Sequence, residues 1–174
     1  MNTMYVFKVI VMGPWGVGKT SLCKRYAEGY FQESYKTTIG CDILSKTEES
    51  SKLGTVSLQI WDLGGQERFK QLFQMVNTFF LGANGGLAVF DLTNRQSFLE
   101  IPEWVKMCRE RSGNIPLILV GNKKDLKNRQ VEESEAISLA KKLNLFGYVE
   151  TSAKTGENVD KAFKTILNLI TENI

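Results

Sequence analysis

Apolar runs alternate along this chain with amphipathic stretches of helical period. Tyr5-Val6-Phe7-Lys8-Val9-Ile10-Val11-Met12 is nearly continuous in its hydrophobicity and predicts a buried strand. From about Lys19 to Glu28, Leu22, Tyr26 and Cys23 fall on one face, which predicts a helix. A polar, irregular stretch from Gly29 to Gly40 follows. A hairpin comes next, with one arm opening at Asp42-Ile43-Leu44-Ser45, a turn over Ser50 to Gly54, and a return from Val56 to Trp61. In the returning arm Val56, Leu58 and Ile60 alternate with polar residues, as a strand with one wetter face requires.

Gly86–Asp91 and Ile115–Val120 are more continuously apolar and read as central strands, with Pro116 tolerated near a strand start. Helices are expected over Ser97–Arg111 and Glu132–Leu143, the latter acidic at its start and closed by Lys141-Lys142, which complements the helix dipole. A short strand, Phe146–Glu150, precedes a final helix from about Glu157 to Thr171. Its stripe Val159, Ala162, Phe163, Ile166, Leu167 and Ile170 is expected to be core. Strands alternating with helices predict an α/β fold with a largely parallel sheet. No repeat or low-complexity tract interrupts the chain, so one domain over residues 1–174 is expected.

Composition narrows the classes. The chain is 43% hydrophobic and 24% charged, as soluble globular proteins are, and a net charge of +3 without a basic stripe argues against nucleic acid. Cys23, Cys41 and Cys108 show no metal-ligand spacing and suit a reducing, cytoplasmic setting. There is no histidine, so imidazole chemistry is excluded. No apolar run reaches membrane-spanning length, Asn2 replaces the glycine that myristoylation needs, and Thr171-Glu172-Asn173-Ile174 offers no prenylatable cysteine. The expectation is an unanchored monomer, membrane-associated only through a lipidated tail that this chain does not contain.

Chemistry enters at Gly13-Pro14-Trp15-Gly16-Val17-Gly18-Lys19-Thr20, which fits the phosphate-binding pattern G-x-x-x-x-G-K-[ST] between a strand and a helix. Glycines let successive N–H groups curl around phosphate oxygens, and the helix start turns free N–H groups and a positive dipole end toward the anion. Lys19 would reach the terminal phosphates and the Thr20 hydroxyl would ligate Mg²⁺. A Gly-rich turn that merely joins strand to helix is the alternative reading of the loop alone.

Three further groups stand at strand ends, where open α/β sheets bind ligands. In Asp62-Leu63-Gly64-Gly65-Gln66-Glu67 the carboxylate can hold a water of the Mg²⁺ shell, and Gly65 can bring its N–H close to a terminal phosphate. In Asn122-Lys123-Lys124-Asp125 the Asp125 carboxylate can accept from guanine N1 and N2, which adenine cannot match. Asn122 can bridge to the loop, and the Lys123 stem can cover the base plane. Backbone N–H groups of Ser152-Ala153-Lys154 can meet guanine O6. Each group alone could be an ordinary polar loop; their order is what carries weight.

From Tyr5 to Ile170 the chain resembles the Ras-superfamily small GTPases, most closely the Rab branch. Besides these motifs, the resemblance rests on Thr37-Thr38-Ile39-Gly40, Leu58-Gln59-Ile60-Trp61-Asp62, Gly65-Gln66-Glu67-Arg68-Phe69, Phe79-Phe80-Leu81-Gly82-Ala83, Val89-Phe90-Asp91-Leu92-Thr93 and Glu150-Thr151-Ser152-Ala153-Lys154-Thr155-Gly156-Glu157-Asn158. It implies the three-layer fold of the P-loop NTPases: six strands, mostly parallel, one antiparallel edge strand, and helices on both faces. It also implies a switch that binds GTP or GDP with Mg²⁺, hydrolyses GTP slowly, and meets effectors, exchange factors and activating proteins through two switch loops, in membrane traffic if the Rab likeness extends that far. Nucleotide contacts would come from Gly13, Trp15, Gly16, Val17, Gly18, Lys19, Thr20, Ser21, Phe31, Tyr35, Thr38, Gly65, Asn122, Lys123, Asp125, Ser152, Ala153 and Lys154. Of these, Phe31 would lie edge-on to the guanine and Tyr35 would close over the phosphates. Thr20, Thr38 and Asp62 would serve Mg²⁺. Gln66 would orient the attacking water, with Lys19 and Gly65 completing the catalytic set.

The chain departs from that pattern in places. Trp15 stands where Ras has glycine, and either crowds the γ-phosphate and an incoming arginine or lies outward over the nucleotide as a lid. Asp62-Leu63-Gly64-Gly65-Gln66 is the Arf spelling, and the segment from Phe69 to Phe79 is about three residues longer than is usual in Rab proteins. Within it, most of Leu72, Phe73, Met75 and Val76 are expected to pack inward and one or two to face a partner. No arginine lies just before Thr38, where Tyr35-Lys36-Thr37 stands, so turnover on the order of 10⁻⁴ to 10⁻³ s⁻¹ is expected without an activator. A GTP-locked or non-hydrolysing scaffold of the same fold is the alternative that Trp15 keeps open.

Overall fold

A computed structural model describes residues 4–32, 41–63 and 73–174, with the side chains of residues 73–75 left aside. Six strands form one sheet: β1 (Tyr5–Met12), β2 (Cys41–Ser50), β3 (Gly54–Leu63), β4 (Gly85–Asp91), β5 (Leu117–Asn122) and β6 (Tyr148–Glu150). The helices are α1 (Lys19–Glu28), α2 (Phe73–Phe80), α3 (Arg95–Leu99), α4 (Ile101–Ser112), α5 (Glu133–Lys142) and α6 (Val159–Glu172). The sheet order is β2-β3-β1-β4-β5-β6, with only the β2–β3 pair antiparallel. This is the expected α/β architecture with its antiparallel edge strand.

Side-chain alternation along β1 assigns the two layers. Phe7, Val9 and Val11 pack toward α1 and α6, together with Leu22, Tyr26, Phe163 and Ile166. Ile10 and Met12 point the other way, into a second core with Phe79, Phe80, Trp104 and Ala136 from α2, α4 and α5. β4 and β5 are buried along their whole length, which is why they are apolar without alternation. The predicted stripe of α6 is buried at every position named. Each of its large apolar side chains contributes about 1.5–3 kcal/mol of burial.

Boundaries differ from expectation where backbone pairing outweighs hydrophobic pattern. The hairpin arms extend to Ser50 and from Gly54, and the ladder carries polar residues Lys46 to Glu49 on an edge strand with solvent beside it. The helix expected over Ser97–Arg111 is two helices that meet at Glu100, two residues ahead of Pro102. β5 begins after Pro116, whose carbonyl still accepts from the Gly86 N–H at 3.0 Å. Of the elongated 69–79 segment, Val76 is buried as expected, while Leu72 and the side chains of Phe73 and Met75 lie outside the described residues.

Candidate functional site

The carboxyl ends of β1, β3, β4 and β5 and the loop after β6 face one edge of the sheet. β1 delivers Gly13 to that edge at φ 147°, and a Cβ there would stand 2.1 Å from the Val89 carbonyl oxygen on β4. Only glycine lets the loop lie this close to the neighbouring strand. At the other end of the loop Gly18, φ 94°, caps α1, and a Cβ there would strike Asn122 Nδ2 at 2.4 Å. Val17 is buried between these ends, whereas Gly16 and Trp15 are exposed, Trp15 by 64%. Trp15 thus extends into solvent from the rim of the loop.

Lys19 opens α1 yet is only 5% exposed, with Nζ donating to the Pro14 carbonyl at 2.8 Å. Its stem therefore runs back beneath the loop and sets the ammonium where the loop curls. Burial lowers its pKa to about 8, and the nearby Asp62 carboxylate opposes that shift. No acidic residue occupies the first turn of α1 to compete for the helix's positive end. Ser21, partly buried, follows Thr20 in the same turn.

Asp62, near the end of β3, is 2% exposed. The Thr20 hydroxyl donates to its Oδ2 at 2.6 Å, and its Oδ1 is buried with no hydrogen-bond partner among the described residues. Burial raises its pKa, against the Thr20 hydrogen bond and the charge of Lys19. The buried Asp62 oxygen without a donor and the Thr20 hydroxyl beside it are hard oxygen ligands of the kind Mg²⁺ takes. Thr20 and Asp62 therefore fit the cation, and a bound Mg²⁺ would relieve the cost of keeping Asp62 charged.

The other end of this edge is built from β5 and the loop after β6. Asn122, 1% exposed, donates from Nδ2 to the Val17 carbonyl at 3.0 Å and accepts on Oδ1 from the Thr151 hydroxyl at 3.0 Å. One side chain so fastens the loop before α1 to the loops that follow β5 and β6. Lys123 adopts φ 68°, unusual for a residue with a side chain, and its Nζ donates to the Gly16 carbonyl at 2.8 Å. Asp125 Oδ1 accepts from the Ser152 hydroxyl at 2.7 Å, which aims the carboxylate. The Ser152 N–H donates to the Glu157 carbonyl at 3.1 Å, so a ligand oxygen would be left to the amides that follow. Ala153 is buried and Lys154 exposed. Phe31, partly buried, leans on the α1–α6 core.

Four supporting residues, Arg25, Arg129, Tyr148 and Glu150, were given no role from the sequence. Arg25 on α1 donates from Nε to the Ala153 carbonyl at 2.9 Å, and from Nη2 to the Lys154 carbonyl, holding this loop in shape. Arg129 makes a two-point bond to Glu150, at 2.8 and 2.6 Å, and the Tyr148 hydroxyl joins it at 2.6 Å. The arginine contacts join residues 21 to 129 positions apart, so no local pattern could signal them. Tyr35, Thr38, Gly65 and Gln66 lie outside the described residues.

The sequence matches the Ras family over residues 8–172. This chain belongs to the Ras family. Its Rab relatives are near: it is 42% identical over 173 residues to Ras-related protein Rab-1 of Theileria parva, covering 98% of this chain and 76% of that protein. It is 40% identical over 178 residues to human Ras-related protein Rab-27B, covering 95% and 80%, and 41% identical over 165 residues to Ras-related protein Rab11A of Nicotiana tabacum, covering 94% and 74%. The chain is a small GTPase of the Ras superfamily close to the Rab proteins. Members of this family bind GTP or GDP with Mg²⁺ and meet regulators and effectors. Among the described residues, no helix is long and apolar enough to cross a membrane.

Proposed function

We propose that residues 1–174 form one domain that binds guanine nucleotide across the edge of the sheet described above, hydrolyses GTP slowly, and engages effectors while GTP is bound, in membrane traffic as a Rab-like switch. The observation that carries this reading is the fastening of the phosphate loop to the base loops through Asn122, which sets one elongated cradle across three chain segments. In it, the loop from Gly13 to Gly18 with Trp15, Gly16, Val17 and Ser21 surrounds the phosphates, and Lys19 neutralises them. Asp125 reads the guanine N1 and N2 hydrogens, Lys123 and Phe31 flank the base, and the amides of Ala153 and Lys154 meet O6. Thr20 and Asp62 hold Mg²⁺, which supplies charge stabilisation on the phosphates when bound.

Tyr35, Thr38, Gly65 and Gln66 complete the site in this reading. Thr38 and Gly65 sense the γ-phosphate, and Gln66 orients water. Such chemistry rests on positioning and charge, so the absence of histidine is no obstacle. Loss of the γ-phosphate releases both switch segments and changes partner affinity. The test is to identify the nucleotide that co-purifies with the protein and then to time phosphate release in a single turnover with Mg²⁺. Guanine nucleotide and release on the order of 10⁻⁴ to 10⁻³ s⁻¹ are expected. Bound GTP that persists unhydrolysed for many hours would favour a locked scaffold instead.

A further inference from the structure

Asp91, the last residue of β4, is 5% exposed and is held from two sides. Its Oδ1 accepts from the Thr93 N–H at 2.8 Å and from the Thr93 hydroxyl at 2.7 Å, while its own carbonyl accepts from the Asn94 N–H at 2.9 Å. The turn into α3 so fixes the carboxylate, and its other oxygen, Oδ2, lies 3.0 Å from Lys123 Nζ. The same ammonium donates to the Gly16 carbonyl in the phosphate loop at 2.8 Å. Lys123 therefore spans from the base loop to the phosphate loop, and a rigid anion from a third strand holds its charged end there.

A lysine stem is flexible, and its ammonium would otherwise sample water. The pair is also partly shielded, with the Asp91 side chain 8% and the Lys123 side chain 33% exposed, so the attraction exceeds that of an open surface pair. The positive φ of Lys123 adds a local cost that the tether offsets. We propose that Asp91 is a positioning residue that slows release of guanine nucleotide, by holding the Lys123 ammonium on the Gly16 carbonyl so that the base loop and the phosphate loop open only together. This rests on the guanine-binding reading above.

The rival possibility is that Asp91 serves only the turn into α3. Asp91→Asn separates the two roles, because the amide oxygen still accepts from Thr93 while the negative charge facing Lys123 is lost. Dissociation of a fluorescent GDP analogue, chased with excess GDP at fixed Mg²⁺, is measured for the native chain, Asp91→Asn, Lys123→Met and the double variant. Asp91→Asn is expected to release nucleotide about tenfold faster, the effect of losing a partly shielded charge pair. In the double variant, release should be no faster than in Lys123→Met alone, since Asp91 acts through Lys123. Asp91→Asn within about twofold of the native rate, or a double variant showing the product of the two single effects, would overturn the proposal. Thr93→Val, which removes one support of the carboxylate, provides a milder second variant: faster release that vanishes in a Lys123→Met background supports the tether, and an effect undiminished there contradicts it. If the native chain binds no guanine nucleotide, the functional reading itself fails, which is a separate and visible outcome.

Discussion

Replacing Asn122 by alanine cuts the joint between the phosphate loop and the base loops. Two hydrogen bonds disappear, Nδ2 to the Val17 carbonyl and the Thr151 hydroxyl to Oδ1, both at 3.0 Å. Water cannot readily replace them, since Asn122 is 1% and Thr151 0% exposed. Each partner left unpaired in a buried place costs about 1–3 kcal/mol, so the loss of stability should be about 2–5 kcal/mol with a small cavity term included. Urea unfolding of nucleotide-free protein measures this without the contribution of bound ligand. Thr151→Val removes only the second bond and should cost about 1–2 kcal/mol, and the double variant should cost less than the sum of the two single variants because they share that bond. Asn122→Asp retains the acceptor for Thr151 but sets an oxygen against the Val17 carbonyl, so it should fall nearer to alanine than to native. A cost below about 0.5 kcal/mol for Asn122→Ala would refute the reasoning, since a buried joint cannot be that cheap to break.

The other predictions concern the rim and the far end of the site. Burial works to raise the Glu150 pKa, but the hydrogen bonds from Arg129 and Tyr148 outweigh it and hold the carboxylate below its ordinary 4.5. A lowered folded-state value means stability that is fully present above the unfolded pKa and fades as pH falls through the folded one. Glu150→Gln should therefore destabilise the protein at pH 7, and the gap from native should narrow progressively below about pH 4.5 in acid titrations followed by urea unfolding; a gap independent of pH would contradict the clamp. Trp15 is 64% exposed, against 1% for Trp104. Acrylamide should quench Trp15 strongly in nucleotide-free protein, and guanine nucleotide should reduce that quenching if the ring lies over the ligand, with Trp15→Phe as the control. Quenching that nucleotide leaves unchanged would remove Trp15 from the site.

How far the sequence discloses this molecule depends on the range over which each signal acts. β1, the phosphate loop and α1 are legible to the residue, because a hydrophobic run, a glycine pattern and a helical period follow one another without a gap. The β2 arm from Lys46 to Glu49 is not, since an edge strand is held by backbone pairing and needs no apolar side chains. Asn122 and Asp125 are legible as ligand candidates, but Asn122's grip on Val17 spans more than half the chain and exists only once β1 and β5 share a sheet. Asp91 shows the limit most clearly. It reads as the polar end of a strand, and its meaning arises only from where β5 places Lys123. The same holds for Arg25, an ordinary helix-surface arginine until the loop after β6 folds onto it.

The central claim is that the cradle selects guanine through Asp125, whose carboxylate the Ser152 hydroxyl aims at 2.7 Å. Competition between guanine and xanthine nucleotides for the native chain and for Asp125→Asn tests it most directly. Asparagine can accept from the base N1–H and donate to the xanthine O2, but it cannot accept from both guanine hydrogens. The native chain should prefer guanine, and Asp125→Asn should shift the preference toward xanthine by at least about a hundredfold. A variant that still prefers guanine as strongly as the native chain does would contradict the account.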